Sequence, residues 1–197
     1  MRYNSEFGQE RVALELLHNK RGGVFLDIGA TDGFTRNNTW TLEKEFGWSG
    51  VCIEPVLASY LALSRIRSCH TLHACVGDSA QFGVVRFFDD PGNHEVSKIA
   101  PHGKSLVPCL TLNHILDSLN IREVDFLSVD TEGNEFNILR CLDYDRFRVR
   151  VIDFEHNDHW GEEQKRNKAT IHTLLTSKGY TKHCDLGVDS IYTLEPL

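Results

Sequence analysis

No stretch of this chain approaches the roughly 20 consecutive apolar residues that cross a bilayer, and its first residues lack the charged, apolar and small-residue succession of a secretory leader. The expectation is a cytoplasmic protein without a membrane span. Basic residues are in deficit: 21 Lys and Arg against 28 Asp and Glu leave a net charge of −7, which argues against a broad basic surface for nucleic acid or anionic membrane. A local basic groove is still compatible with it. None of the six cysteines (Cys52, Cys69, Cys75, Cys109, Cys141, Cys184) falls in a C-x-x-C pair. Several sit in apolar runs, so buried free thiols are expected rather than disulfides or a zinc site. Internal repeats, low-complexity segments and the G-x-G-x-x-G spacing of dinucleotide sites are absent as well. The 197 residues suffice for one α/β domain over 1–197 that buries roughly 70% of its unfolded surface.

What is present centres on Val24-Phe25-Leu26-Asp27-Ile28-Gly29-Ala30-Thr31-Asp32-Gly33. An apolar run entering a tight turn reads as a strand of a parallel sheet, covered on both faces. Gly29 and Gly33 lack a Cβ, which lets a ligand approach the backbone. In doubly wound sheets this turn borders the cofactor crevice. Asp27 and Asp32 put carboxylates where a dinucleotide would put its pyrophosphate. That sign suits a cationic cofactor such as S-adenosylmethionine, whose amino group and sulfonium are both positive.

Before this strand, residues 5–20 read as a helix capped by Ser5, with Val12, Leu16 and Leu17 as its apolar stripe. Phe7-Gly8-Gln9-Glu10 is then either an exposed first turn or a cover over the cofactor, and residues 1–23 an N-terminal helical cover. After the glycine turn, Thr35 or Asn37 can cap a helix through Phe46 that aims free N–H groups at the cofactor's carboxylate. A second strand, 50–53, ends at Glu54-Pro55. Glu54 lies 21 residues past Gly33, where such folds place an acid on the ribose hydroxyls. A third strand over 71–76 ends in Gly77-Asp78, which would border the adenine. Residues 82–110 read as an inserted strand–loop–strand, its polar middle a mobile loop suited to substrate selection.

The second informative stretch is Val124 to Glu135. A strand delivers Asp130 to its carboxyl end, Glu132 follows in the turn, and Gly133 permits a sharp helix entry. Two acids at one strand end are costly unless they face water, a cation or a shared proton. The next strand, 149–154, ends in Glu155-His156-Asn157. A helix over 162–178 and a closing hairpin, 180–186 with 190–194, complete a mostly parallel sheet with a terminal antiparallel hairpin.

These blocks resemble the FkbM family of S-adenosylmethionine-dependent methyltransferases over nearly the whole chain. The resemblance is carried by Ser5–Glu10, Phe25–Gly33, Asn38-Thr39, Gly47–Gly50, Cys52–Pro55, Asp125–Glu135, Glu155–Asn157 and Gly187–Tyr192. Two positions depart from it: Thr31 stands where the family usually has asparagine, and Ser128 where it often has lysine. The resemblance implies a Rossmann-like, seven-stranded class I methyltransferase fold with strand order 3-2-1-4-5-7-6. It also implies methylation of a hydroxyl on a sugar, natural product or other small acceptor. By resemblance and position the cofactor contacts fall on Asp27, Gly29, Ala30, Asp32, Gly33, Asn38, Glu54, Pro55, Gly77, Asp78 and Asp130.

An alcohol must lose its proton near the transition state, and Asp130, Glu132 and His156 are the candidate bases. Asp130, Glu155 and Asn157 offer oxygen ligands that suit Mg²⁺, as in some other O-methyltransferases. Two competing readings are a nicotinamide-dependent oxidoreductase, which shares the glycine turn and Glu54, and a cofactor-binding module that has lost catalysis.

Overall fold

The structure is a computed structural model that describes residues 3–90 and 97–195. Its main sheet has seven strands: β1 (Val24–Ile28), β2 (Ser49–Ile53), β3 (His70–Leu72), β8 (Glu123–Val129), β9 (Arg148–Glu155), β10 (Tyr180–Leu186) and β11 (Asp189–Leu194). Their spatial order is β10-β11-β9-β8-β1-β2-β3. Pairs from β3 through β9 are parallel, whereas β11 runs antiparallel to both β9 and β10. Numbered within this sheet alone, the order is the 3-2-1-4-5-7-6 that the resemblance implies.

Side-chain alternation divides the core. Leu26, Ile28, Leu127, Val129, Ile152 and Phe154 pack with α4 (Leu112–Ser118), α5 (Glu135–Arg140) and α6 (Glu162–Ser177). Phe25, Phe126, Val151 and Ile191 face α1 (Gln9–Leu16), α2 (Trp40–Phe46) and α3 (Leu57–Ile66). Among the described residues no helix is long and apolar enough to cross a membrane. All six cysteines are free thiols.

Several predicted boundaries are corrected. The third strand is not continuous over 71–76. It splits into β3 and β4 (Cys75–Val76), and β4 leaves the main sheet for a second one of order β4-β7-β5-β6, with β5 Gly83–Phe88, β6 Lys98–Ile99 and β7 Ser105–Leu110. This second sheet was not expected. It arises because Phe87, Val107 and Cys109 bury with Val56 and Cys75 in a small core of their own. The predicted mobile loop therefore carries a strand, β6, antiparallel to β5; its residues 91–96 lie outside the described residues.

The first helix starts at Gln9, not Ser5. Glu10 accepts the amide and hydroxyl of Ser5 and the amide of Asn4, which draws that segment into a turn. Gln9 and Glu10 are buried, against the reading of this segment as an exposed first turn. The second helix starts at Trp40, because Thr35 and Asn37 bond to Asp32 and Asp27 instead of capping. Its start lies well beyond the glycine turn, so the predicted array of helix N–H groups at the turn is not formed.

Candidate functional site

The carboxyl ends of β1, β2, β8 and β9, with the amino end of the antiparallel β11 beside them, bring most of the predicted site residues together. Gly29 has φ +87°, and a Cβ there would lie 1.8 Å from the backbone oxygen of Asp130. The turn after β1 and the tip of β8 thus touch through backbone alone, which only glycine allows. Thr31 also has positive φ, +47°, as do Glu132 (+57°) and Asn157 (+43°) at the tips of β8 and β9. Left-handed backbone in non-glycine residues stores strain, and here it is gathered at three neighbouring strand ends.

Asp27 turns inward and does not face the rim. Its Oδ2 accepts the Thr39 hydroxyl at 2.6 Å and the Asn37 amide at 2.8 Å. Burial pushes its carboxyl pKa up, opposed by the nearby Arg67 guanidinium. Arg67 itself is buried, and it donates to the Gly33 carbonyl, Asn37, Thr39 and Glu43. One guanidinium from the end of α3 therefore ties down both flanks of the glycine turn. No motif in the sequence pointed to it.

Asp32 accepts the amides of Phe34 (2.9 Å) and Thr35 (2.7 Å) and the Thr35 hydroxyl. Partial burial raises its carboxyl, but these donors outweigh burial and hold it below the usual range. Ala30 is fully packed, and Asn38 donates to Ser128 at 3.0 Å. Glu54, at the end of β2, accepts the amide of Thr31 at 2.9 Å and that of Val56 at 2.7 Å. Burial pushes it up to about 7, with the charges of Asp27 and Asp89 adding to the effect. Pro55 precedes α3, and its carbonyl lies 3.0 Å from the His73 ring. Asp78 caps the turn after Gly77 through the amides of Ala80 and Gln81, and pairs with Arg140.

Beyond the turn stands a row of acids. Burial first, then the charge of Asp189, pushes Asp130 up to about 7. Its carboxyl is hydrogen-bonded to that of Glu155, which burial and Asp130 raise as well. Two carboxyls in such contact hold a shared proton, because both cannot ionise cheaply. Asp130, Glu132 and Glu155 bring oxygens within 4.8 Å of one another, a spacing that could take a cation. Asn157 is buried in its strained turn.

Three acids that sequence reasoning did not single out complete the surroundings. Asp153 is 1% exposed on the same face as Glu155, and Asp189, pushed up to about 6 by burial, accepts the Gln9 amide at 2.7 Å. Glu135 accepts the Thr131 and Gly133 amides and so shapes the turn that carries Glu132. A signal for Asp153 existed: an acid inside Val-Ile-Asp-Phe, on a strand covered on both faces, has no route to solvent.

The Nδ1 of His156 lies 3.4 Å from the Asp158 amide, the geometry of an acceptor, which leaves the ring proton on Nε2. Burial, then Lys168, lowers its pKa, so the ring is neutral at pH 7. Nearby, a cleft opens between β6, residues 131–137 and α6, lined by Gln81, Lys98, Asn134, Asn137, Gln164 and Asn167. It adjoins a depression reaching Glu132, Glu155 and His156.

Comparison with known proteins bears on the family and the fold. The family model described as the methyltransferase FkbM domain matches residues 27–182. Among solved structures, the chain resembles a methyltransferase FkbM from Methylobacillus flagellatus KT, with a TM-score of 0.54 and 13% identity over 87% of this chain and 43% of that one. It also resembles the METTL16 MTase domain, with a TM-score of 0.50 and 14% identity over 93% of this chain and 64% of that one. At these identities the likeness shows the fold, and the chain spans less than half the length of the FkbM structure. No curated protein is significantly similar in sequence. Neither the family match nor these neighbours lend support to a divalent metal. The chain belongs to the FkbM methyltransferase domain family.

Proposed function

We propose that this protein transfers a methyl group from S-adenosylmethionine to a hydroxyl of a small acceptor such as a saccharide. Family membership supports the reaction class, and the residues of the crevice fit the donor. Gly29 lets the β1 turn close directly onto the tip of β8, which fixes the rim of the crevice, and Glu54 offers a carboxylate at the end of β2 for the ribose hydroxyls. When bound, the donor supplies an electrophilic methyl carbon. The chain's task is to hold the acceptor oxygen in line, about 3 Å from it.

The observation that carries the choice of oxygen is the Asp130–Glu155 carboxyl pair beside the turn. An acid poised near 7 can take the hydroxyl proton at neutral pH, an effect worth about 10²–10⁴-fold. Asp130 suits this better than His156, whose Nδ1 lone pair faces the Asp158 amide. Glu132 stands beside the pair as an electrostatic neighbour. The cleft lined by amide side chains, with Lys98 contributed by the 82–110 insertion, suits a polyhydroxylated acceptor.

The test is methyl transfer by Asp130→Asn at saturating donor. A loss of about 10²-fold or more is expected, with S-adenosylhomocysteine still bound. Full activity of this variant would reject Asp130 as base. Stabilisation by NADH and not by S-adenosylhomocysteine would reject the donor and favour the oxidoreductase reading.

A further inference from the structure

Elsewhere in this chain a buried carboxylate has a partner. Asp125 takes Lys20 and Arg150, Glu43 takes Lys44 and Arg67, and Asp78 takes Arg140. Glu54 and Glu135 take backbone amides. The acids of β9 and β11 differ. Among the described residues, Asp153, Glu155 and Asp189 form no ion pair with lysine, arginine or histidine. Asp189 has only the neutral Gln9 amide. Asp153, 1% exposed, has an Oδ1 with no hydrogen-bond partner and an Oδ2 only 3.4 Å from Asn38. A buried carboxylate lacking a cation or donors is costly. This one lies among Asp189, Asp130 and Asp27 and adds to their repulsion.

The donor reaches only the near edge of these groups, through Asn38 beside Asp153 and Asp130 beside Glu155. A ligand with its amino-acid end at the β1 turn and its ribose on Glu54 runs from β8 over β1 to β2. β9 and β11 lie on the opposite side, two and three strands from β1, or about 10 and 14 Å at the usual strand spacing. That is the acceptor's side, and Glu155 there borders the depression that adjoins the cleft.

We propose that the acceptor is a cation: a protonated amine beside the hydroxyl to be methylated binds at Glu155, with Asp153 and Asp189 supplying the surrounding negative charge. The inference rests on the methyl-transfer reading above and narrows its substrate class to amino sugars, aminocyclitols or amino alcohols. Two lysines border the depression: Lys168 is engaged by Asp158 and Asp185, and Lys98 reaches it from β6.

The experiment uses the full chain, methyl-labelled donor, and glucosamine, galactosamine, streptamine and serinol, each paired with its N-acetylated form, with glucose and galactose alongside. At least one amine is expected to accept label at ten or more times the rate of its acetylated form. Asp153→Asn and Asp189→Asn together should lower that transfer at least tenfold while leaving S-adenosylhomocysteine affinity within about twofold by calorimetry. Equal labelling of amines and acetylated forms, labelling of the neutral sugars alone, or indifference to the double substitution would overturn the proposal. So would labelling of neutral acceptors that chelation abolishes and Mg²⁺ restores, since the acids would then hold a metal. Donor-product binding with no member labelled counts against the amine acceptor, whereas absence of that binding removes the methyl-donor reading beneath it.

Discussion

Replacing Gly29 by alanine is the perturbation whose cost can be worked most directly from the structure. The backbone at Gly29 has φ +87°, and the added Cβ would sit 1.8 Å from the Asp130 carbonyl oxygen. Left-handed backbone costs an L-residue about 1–2 kcal/mol, and forcing the two strand-end turns apart resembles overpacking, about 1–3 kcal/mol. The sum, about 2–5 kcal/mol, is a large part of the roughly 5–15 kcal/mol that holds a domain together. At about 2–4 °C per kcal/mol for a chain of this size, the melting temperature should fall by on the order of 10 °C. Gly22→Ala is the control: its φ is +66° but nothing lies within 4 Å of the new Cβ, so it reports the backbone cost alone. Both variants are compared by thermal and urea unfolding. Equal losses in the two, or no loss at Gly29, would refute the claim that the turn and the β8 tip meet through backbone.

Thr31→Asn should stabilise the protein by about 0.5–1 kcal/mol, because asparagine tolerates the left-handed region where a β-branched residue is strained; an unchanged or lower urea midpoint contradicts this. Arg67→Met should cost about 3–5 kcal/mol, since it strips donors from buried Glu43, Asn37 and Thr39, and it should weaken S-adenosylhomocysteine binding as well. A loss under about 1 kcal/mol by urea unfolding would mean that Arg67 does not hold the turn. The pH dependence has a definite sign. Asp130 rises from 3.8 to about 7 on folding, so the folded chain binds this proton more tightly than the unfolded one. That contribution is complete below about pH 4 and is lost as pH rises to about 7. Ligand-free protein should thus melt lower at pH 8 than at pH 5, and Asp130→Asn should reduce the difference, with Glu54 and Asp189, raised to about 7 and about 6, supplying the remainder; an equally steep profile in the variant would place the titration elsewhere.

The strands β1, β2, β8 and β9 were legible because each is a short apolar run closed by an acid or a glycine, and the order of the sheet came from the family resemblance. The glycine turn was equally plain. What the run of residues did not show was where a strand changes partner: Thr71 to Val76 looks continuous, yet Cys75 buries with Val56 and Phe87, and the chain turns out of the main sheet. Position along a strand also did not reveal which way an acid faces. Asp27 was read as a rim carboxylate, but hydroxyl and amide donors ten and twelve residues later hold it inside. The negative rim is formed by Asp130, Glu155 and their neighbours, which pairing between strands brings together. Arg67 carried no signal, since nothing at the end of a helix tells that its guanidinium reaches across to another loop.

The central claim is that the β1 turn and the tip of β8 hold a positively charged methyl donor. A structure of the protein with S-adenosylhomocysteine tests it most directly. The account predicts the ribose hydroxyls on Glu54 and the homocysteine end between the Gly29–Gly33 turn and Asp130, with the sulfur facing Glu155. A ligand bound elsewhere, or a pyrophosphate-containing molecule seated in that turn, would contradict it.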